Sequence, residues 1–443
     1  MDSILQSKKS IGYLCLVVFV VSLSYSFYFH IPPAVDARAY DAIAWNIAQG
    51  LGYRESVSIP LENDIGIVRV GPGYEWFLAS IYYLFGHTYQ LIWILQSLFL
   101  ALSAYLLFLL SREIFSDSWS PVIGLTAAAL IGFSPDLITI SAMLMTENIG
   151  IFLMILSVYL FFRYMNARSI PLLLLFSISF VSAIFVRTPA IFLTIPMLTF
   201  FILEKRWRDI ALFFTVAVIL FTPWSVRNYT VYHSFIPLNV NSGFNLVAGN
   251  HHGSNGEQEP YPILEEYLQK LGAVEANKQA TKDAFSFIIH NPGEFIHLTL
   301  LRTSIYFSFA RPTGFWFHLH GISKALTLFS SAVFSILLFI LGSWGILAAK
   351  SLLPADKKRA RYLLAMLVMM PLAVVGLIVE TRYRFLVYPF FALFAGLGFD
   401  MLLKKEIEWK PALIIASALF LNTTGDILSN IERIIERIRS LSG

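Results

Sequence analysis

Ile31-Pro32-Pro33-Ala34-Val35-Asp36-Ala37-Arg38-Ala39-Tyr40 lies just past an uncharged apolar run, 11–29, and opens a polar loop with far more ionisable residues than the runs around it. That run is long enough to cross a hydrocarbon core of ~30 Å. Lys8 and Lys9 precede it and should hold the N-terminus in the cytoplasm, so Asp36 is expected on the outer face. No small-x-small cleavage signal separates Phe29 from Asp36, and the run is expected to be retained. If the chain is an enzyme, its chemistry starts in this loop.

Composition agrees with a membrane chain. Of the 443 residues, 57% are hydrophobic and 14% charged, whereas a soluble domain carries about a quarter charged residues. The net charge of +4 is spread over many loops and forms no basic stripe, so nucleic acid is not an expected partner. The single cysteine, Cys15, lies inside the first run, which leaves no disulfide framework, thiolate metal site or catalytic thiol.

Roughly eleven apolar runs read as membrane helices: 11–29, 90–111, 121–145, 149–162, 171–186, 190–203, 210–222, 325–349, 362–379, 386–403 and 411–422. The brief run 73–85 is assigned as a juxtamembrane helix of the first outer loop, 30–89. Arg112, Arg163, Arg168, Lys205, Arg206, Arg208, the stretch from Lys350 to Arg361, Lys404, Lys405 and Lys410 then all fall on the side of Lys8, as the positive-inside rule requires. The predicted organisation is an N-terminal catalytic module, 1–226, a long outer loop, 227–324, that folds as a small cap, and C-terminal membrane helices, 325–425. A final stretch, 426–443, sets Ile427, Ile431, Ile434, Ile435 and Ile438 on one helical face and is expected to lie in an interface plane. Its basic content would suit the cytoplasmic side, which leaves open whether 411–422 crosses.

Arg38, Arg54, Arg69, Arg187, Arg227, Arg302, Arg311, Arg382 and Arg384 stand at outer ends of spans, accompanied by Asp36, Asp41, Glu62, Asp64, Glu147 and Glu380. Singly, each arginine could pair with a neighbouring acid or snorkel to lipid phosphate. As a group they have the chemistry of a pocket for a phosphate or diphosphate headgroup, which a planar guanidinium binds bidentately. Almost no ionisable residue lies near a span midplane, Asp136 being the nearest case, and this disfavours an ion-coupled transporter. There is no Walker loop, Rossmann fingerprint, zinc-protease motif or cysteine pair. His251-His252 reads as a polar outer turn. An outer-facing site without nucleotide machinery points to a substrate already activated in the membrane.

The motifs of the first outer loop carry a family resemblance. Asp36-x-x-x-Tyr40-x-x-x-Ala44, Gln49-Gly50-Leu51-Gly52-Tyr53, Arg69-Val70-Gly71-Pro72-Gly73-Tyr74 and Phe85-Gly86 resemble the GT-C glycosyltransferases of the protein O-mannosyltransferase and lipid A aminoarabinose transferase type. Ser134-Pro135 leading to Met145-Thr146-Glu147, Val186-Arg187-Thr188-Pro189, Thr222-Pro223-Trp224 through Arg227-Asn228-Tyr229, Asn241-Ser242-Gly243 with Ala248-Gly249-Asn250, and Arg382-Tyr383-Arg384 with Pro389 follow in the same order. The resemblance implies an all-α, polytopic GT-C-like bundle with outer juxtamembrane helices, in the cell membrane, with its active site on the extracytoplasmic face. It implies Asp36 as catalytic acid-base residue and Glu147 as the acidic partner from the second outer loop. Arg382, Arg384, Arg227, Arg187 and Arg69 are the implied donor-phosphate ligands, and Tyr40, Tyr74 and Asn250 the substrate contacts. Mannosyltransferases carry an Asp-Glu pair in the first loop, whereas Asp36 is followed by Ala37, so neither mannose nor a protein Ser or Thr acceptor follows.

The residue types suit such a reaction. Polyprenyl phosphate is a stable leaving group, so transfer of its sugar needs cations on the departing oxygens and a base for the acceptor hydroxyl. Asp36 would take the proton as the acceptor attacks the anomeric carbon, with inversion. Glu147 would orient the acceptor, hold a sugar hydroxyl, or join Asp36 around a divalent cation; no cofactor is otherwise expected. For Asp36 the plain alternative is a cap of the helix that follows. The expected activity is transfer of one sugar from a polyprenyl-phosphate donor to a glycan, lipid or protein acceptor, with membrane lipid around it and oligomeric state open. A glycan polymerase or ligase acting on polyprenyl diphosphate, and a lipid or glycan transporter, are the alternatives.

Overall fold

The computed structural model describes residues 2–69, 71–259, 261–309, 317–406, 409–432 and 435. Among these the chain is all-helical, and its one strand-like pairing is an isolated bridge between Glu257 and Val379. Arg311 and most of the expected interfacial helix beyond Glu432 lie outside the described residues.

The helices in order are α1 (Asp2–Phe29), α2 (Asp36–Ala48), α3 (Pro72–Phe85), α4 (Gln90–Ile114), α5 (Pro121–Gly132), α6 (Pro135–Ser141), α7 (Glu147–Ala167), α8 (Ile170–Val186) and α9 (Thr194–Leu203). They continue with α10 (Trp207–Tyr232), α11 (Ser242–Gly249), α12 (Pro262–His290), α13 (Pro292–Phe307), α14 (Gly321–Ala348), α15 (Pro354–Val375), α16 (Tyr388–Leu403) and α17 (Trp409–Ser429). Proline opens many of them, where its missing N–H costs nothing and its fixed φ suits the first turn. Pro135 also ends α5. Ser134 caps the next helix by accepting from the Leu137 amide, and α6 leaves at 53° to α5.

Among the described residues, Lys9–Phe29, α4, α7, α10, Gly321–Ser351 and α17 are long and apolar enough to cross a membrane, and the bent α5–α6 pair makes a further span if taken as one. Ile170–Val186, Thr188–Leu203 and Tyr388–Leu403 are apolar but shorter. At 1.5 Å per residue a 17-residue helix covers about 25 Å, less than a ~30 Å core, which is why length alone yields fewer crossings than apolar runs. The stretch from Asp426 is not a separate interfacial helix at its start: α17 continues through Asp426, with Trp344 donating to the Ala412 carbonyl near one end and Asn422 to the Ser304 carbonyl near the other.

Two polar ends result. At one, Arg163 meets Glu113, Arg168 and Lys358 meet Glu204, Arg359 bonds Asp356 and Ser116, and Lys404 with Ser120 bonds Asp400. The basic loops grouped by the positive-inside pattern are thus joined by direct contacts. At the other end α2 and α3 lie side by side, and Tyr82 and Tyr89 both donate to Asp41. Between the ends, α16 packs against α14 and α5 through glycines: a Cβ on Gly345 would collide with the Phe394 carbonyl, and one on Gly396 with that of Ile123. Small residues allow this backbone approach where lipid provides no hydrophobic drive between helices.

Candidate active site

Asp36 is the first residue of α2, and the residue before it takes a costly conformation. Val35 sits at φ 52°, ψ −122°, a region that a β-branched side chain rarely enters, at a cost of about 1–3 kcal/mol. No side chain caps this helix start. The Asp36 carboxylate turns instead to Arg382, whose Nη2 lies 2.9 Å from Oδ2. Arg382 also bonds Glu380, so two acids flank one guanidinium that is nearly out of solvent.

Glu147 opens α7 and is fully buried. Its Oε1 lies 3.3 Å from Arg187 Nη1, an ion-pair distance without hydrogen-bond alignment, and the Thr146 hydroxyl bridges the two, donating to Glu147 and accepting from Arg187. A Cβ on Gly150 would strike the Arg187 stem, so that glycine leaves room for the side chain. Tyr383 ties the pairs together: the guanidinium carbon of Arg187 lies 5.9 Å from its ring centre and that of Arg382 5.6 Å. Two acid-arginine pairs from distant parts of the chain therefore converge on one aromatic ring.

Tyr40 and Tyr74, expected as substrate contacts, are buried with their rings edge to face at 5.7 Å. Tyr74 donates to Gln96, whose amide in turn donates to the carbonyls of Ser141 and Met143, so it braces α3 on α4. Burial raises the Tyr40 phenol pKa, and the carboxylates of Asp36, Glu147 and Glu75 add to this while Arg382 opposes it. Tyr40 thus lies within electrostatic reach of Asp36, Arg382 and Glu147.

Glu75 was not among the residues singled out by sequence, although an acid in the apolar run 73–85 is itself a signal. It is fully buried, and neither of its oxygens meets ordinary hydrogen-bond geometry; the Tyr53 hydroxyl is near enough to favour its charged form as a donor, and Arg69 does so through its charge. Burial pushes its pKa up to about 8 from 4.5, so it is mostly neutral at pH 7. A raised native pKa means that the native state holds its proton more tightly than the unfolded chain. Stability from this group is full below about pH 4.5 and is lost as pH rises to about 8. The melting temperature of the wild type should fall across that window and that of Glu75→Gln should fall less, measured in one detergent across buffers. Equal slopes would show that Glu75 does not titrate there.

The remaining predicted arginines have other direct partners, although the Asp36 carboxylate is near enough to Arg69 to help raise its pKa. The 3-10 turn Thr381–Leu386, at three residues per turn, sends Arg382 and Arg384 to different sides. Arg384 is buried, donating to the Ser308 carbonyl and the Tyr388 hydroxyl, and Tyr388 donates to Asp136. Its place is the helix interior and not the mouth. Arg69 is bidentate to Glu55. Arg227 donates to the Tyr53 carbonyl and stacks among Tyr53, Trp224 and Tyr232. Asn250 is buried: its amide donates to the Leu246 and Gly376 carbonyls, and its Oδ1 accepts from Arg302. Three arginines and Asn250 are therefore engaged by the protein itself, while Arg382 and Arg187 stand with Asp36 and Glu147.

Residues 69–226 match the model of the family described as dolichyl-phosphate-mannose-protein mannosyltransferase, the segment that runs from the Arg69 motif to just before Arg227. No curated protein matches the chain. Among solved structures, the archaeal oligosaccharyltransferase AglB from Archaeoglobus fulgidus, in complex with an inhibitory peptide and a dolichol-phosphate, is similar at a TM-score of 0.48 and 15% identity over 93% of this chain and 55% of that one. ArnT from Cupriavidus metallidurans, bound to undecaprenyl phosphate, is similar at 0.46 and 15% over 91% and 61%. The chain thus spans little more than half the length of these solved chains.

Proposed function

We propose that this chain is an integral-membrane inverting glycosyltransferase that moves one sugar from a polyprenyl-phosphate donor to an acceptor on the outer face. The observation that carries this reading is the meeting of Asp36–Arg382 and Glu147–Arg187 across the Tyr383 ring. The family-model match over 69–226, which contains Glu147 and Arg187, supports it.

In the proposed reaction the acceptor oxygen attacks the anomeric carbon as the bond from that carbon to the phosphate oxygen breaks. Asp36 receives the acceptor proton, and the phosphate leaves carrying the electron pair of the broken bond. Arg382 and Arg187 are the cations that meet the developing charge. Asp36 is paired with Arg382 before the donor arrives, and the donor phosphate then competes for that guanidinium and frees the base. Glu147, fully buried behind Arg187, acts by holding that arginine in place.

Turnover of a polyprenyl-phosphate-linked sugar in detergent, without any gradient, tests the reading. A transferase forms a new glycosidic bond there; a transporter forms none, and that outcome would replace the proposal. Sidedness has its own test in a Cys15→Ala background. Cysteines at the exposed positions Ser58 and Ser286 should react with an impermeant maleimide from outside, and one at exposed Ser116 should not. The reverse pattern would put Asp36 in the cytoplasm and remove an extracytoplasmic acceptor from consideration.

A further inference from the structure

At the polar end opposite Asp36, the last turns of α4 and α7 and the turn after α4 enclose a groove of about 400 Å³ lined by Leu109, Arg112, Glu113, Ser116, Trp119, Tyr159 and Arg163. It belongs to neither acid-arginine pair. α4 begins next to Tyr89, which bonds Asp41, and its 25 residues separate that contact from this groove by about 35 Å.

The charges in the groove are poorly neutralised. Arg112 is exposed and stacks on Trp119, 5.2 Å from the ring centre, and no carboxylate pairs with it among the described residues. Arg163 is also exposed, lies over Tyr159 and reaches Glu113 only at 3.4 Å, while Asn166 donates to the other Glu113 oxygen at 2.9 Å. Of the two guanidinium groups only Arg163 reaches a carboxylate among the described residues, and that carboxylate is already bonded to Asn166. Both guanidinium groups are presented on aromatic rings at the ends of helices that are long and apolar enough to span the membrane. That is the level of lipid headgroups, where basic pockets between helices hold anionic lipid.

Below the groove, Leu98, Tyr105 and Leu109 fall on the same face of α4 as Arg112, at helical spacings of seven, four and three residues, and Leu98 and Tyr105 are exposed. An apolar stripe leading away from a pair of guanidinium groups fits a phosphate that carries acyl chains, and a free phosphate would leave the stripe unused.

We infer that this groove binds the phosphodiester headgroup of an anionic membrane lipid through Arg112 and Arg163, with its acyl chains along the Leu98–Tyr105–Leu109 face of α4. The site is independent of the transfer reaction.

The test uses the full chain, purified in detergent, with phosphatidylglycerol, phosphatidylcholine and inorganic phosphate as probes. Phosphatidylglycerol should raise the melting temperature and stay bound in native mass spectra, whereas phosphatidylcholine and inorganic phosphate should do neither. Arg112→Gln with Arg163→Gln should weaken phosphatidylglycerol retention by about tenfold or more, as expected for loss of charge-assisted bonds. Glu113→Gln can still accept from Asn166 but removes the competing charge, so it should retain the lipid more tightly, a gain that a merely structural role would not produce. Unchanged retention in the double variant, weaker retention in Glu113→Gln, or an equal effect of inorganic phosphate would each overturn the proposal.

Discussion

Asp36→Asn should lower turnover of a polyprenyl-phosphate-linked sugar by about 10²–10⁴-fold while leaving expression and melting temperature close to the wild type. The amide keeps the shape of the carboxylate and removes the base. Arg382 loses one of its two acids but retains Glu380, so the turn at Thr381–Leu386 keeps its anchor. The fold of α2 should survive because its start depends on no cap from Asp36. Near wild-type turnover in Asp36→Asn would take the residue out of the mechanism. Glu147→Gln provides the contrast: if its carboxylate holds Arg187, its loss should also appear as weaker donor binding. If Asp36 and Glu147 share a divalent cation, a chelator should silence the wild type.

A second large effect is expected on stability, at a position whose part in the fold only its partners reveal. Arg302→Met should destabilise the protein by about 3–5 kcal/mol, read as a fall in melting temperature with the donor KM of the remaining folded enzyme unchanged. Arg302 is fully buried in α13 and donates to the Val375 carbonyl, the Gly249 carbonyl and Asn250 Oδ1, so it joins α11, α13 and α15. Burial lowers its pKa to about 10, which leaves it charged at neutral pH. Methionine fills much of the volume but takes the donor from the Val375 carbonyl and Asn250 Oδ1 and leaves the Gly249 carbonyl with Ser254 alone. Asn250→Ala should produce a smaller loss of the same kind, because Asn250 also serves the Leu246 and Gly376 carbonyls. A rise in donor KM with unchanged stability would instead return Asn250 to the substrate.

The amino-acid sequence by itself determined that this is an all-helical membrane chain. Apolar runs and the sidedness of basic loops are local properties, so the two polar ends could be foreseen, whereas the run 121–145, read as one span, is broken at Ser134-Pro135. A helix at 73–85 was also legible as a brief apolar run, too short to cross a membrane, and the structure has one at Pro72–Phe85. Reading Asp36, Glu147, Arg187 and Arg382 as one group depended on motif order, since nothing in their spacing brings residues so far apart together.

Tertiary structure decided which of the charged groups meet. From sequence one of Arg382 and Arg384 is expected to bind phosphate, Arg382 by a small margin, and the other to pair with an acid such as Glu380; the 3-10 turn sends Arg382 to both Asp36 and Glu380 and Arg384 into the interior beside Tyr388. Arg69, Arg227 and Asn250 carried motif signals, but whether a side chain is open to a ligand or engaged by a neighbouring carboxylate or carbonyl depends on what packs against it. Glu75 shows the same limit from the other direction. Its burial, and hence its proton, depends on α2 and α3 closing over it with Tyr53 and Arg69 at hand, a long-range arrangement that no local pattern encodes.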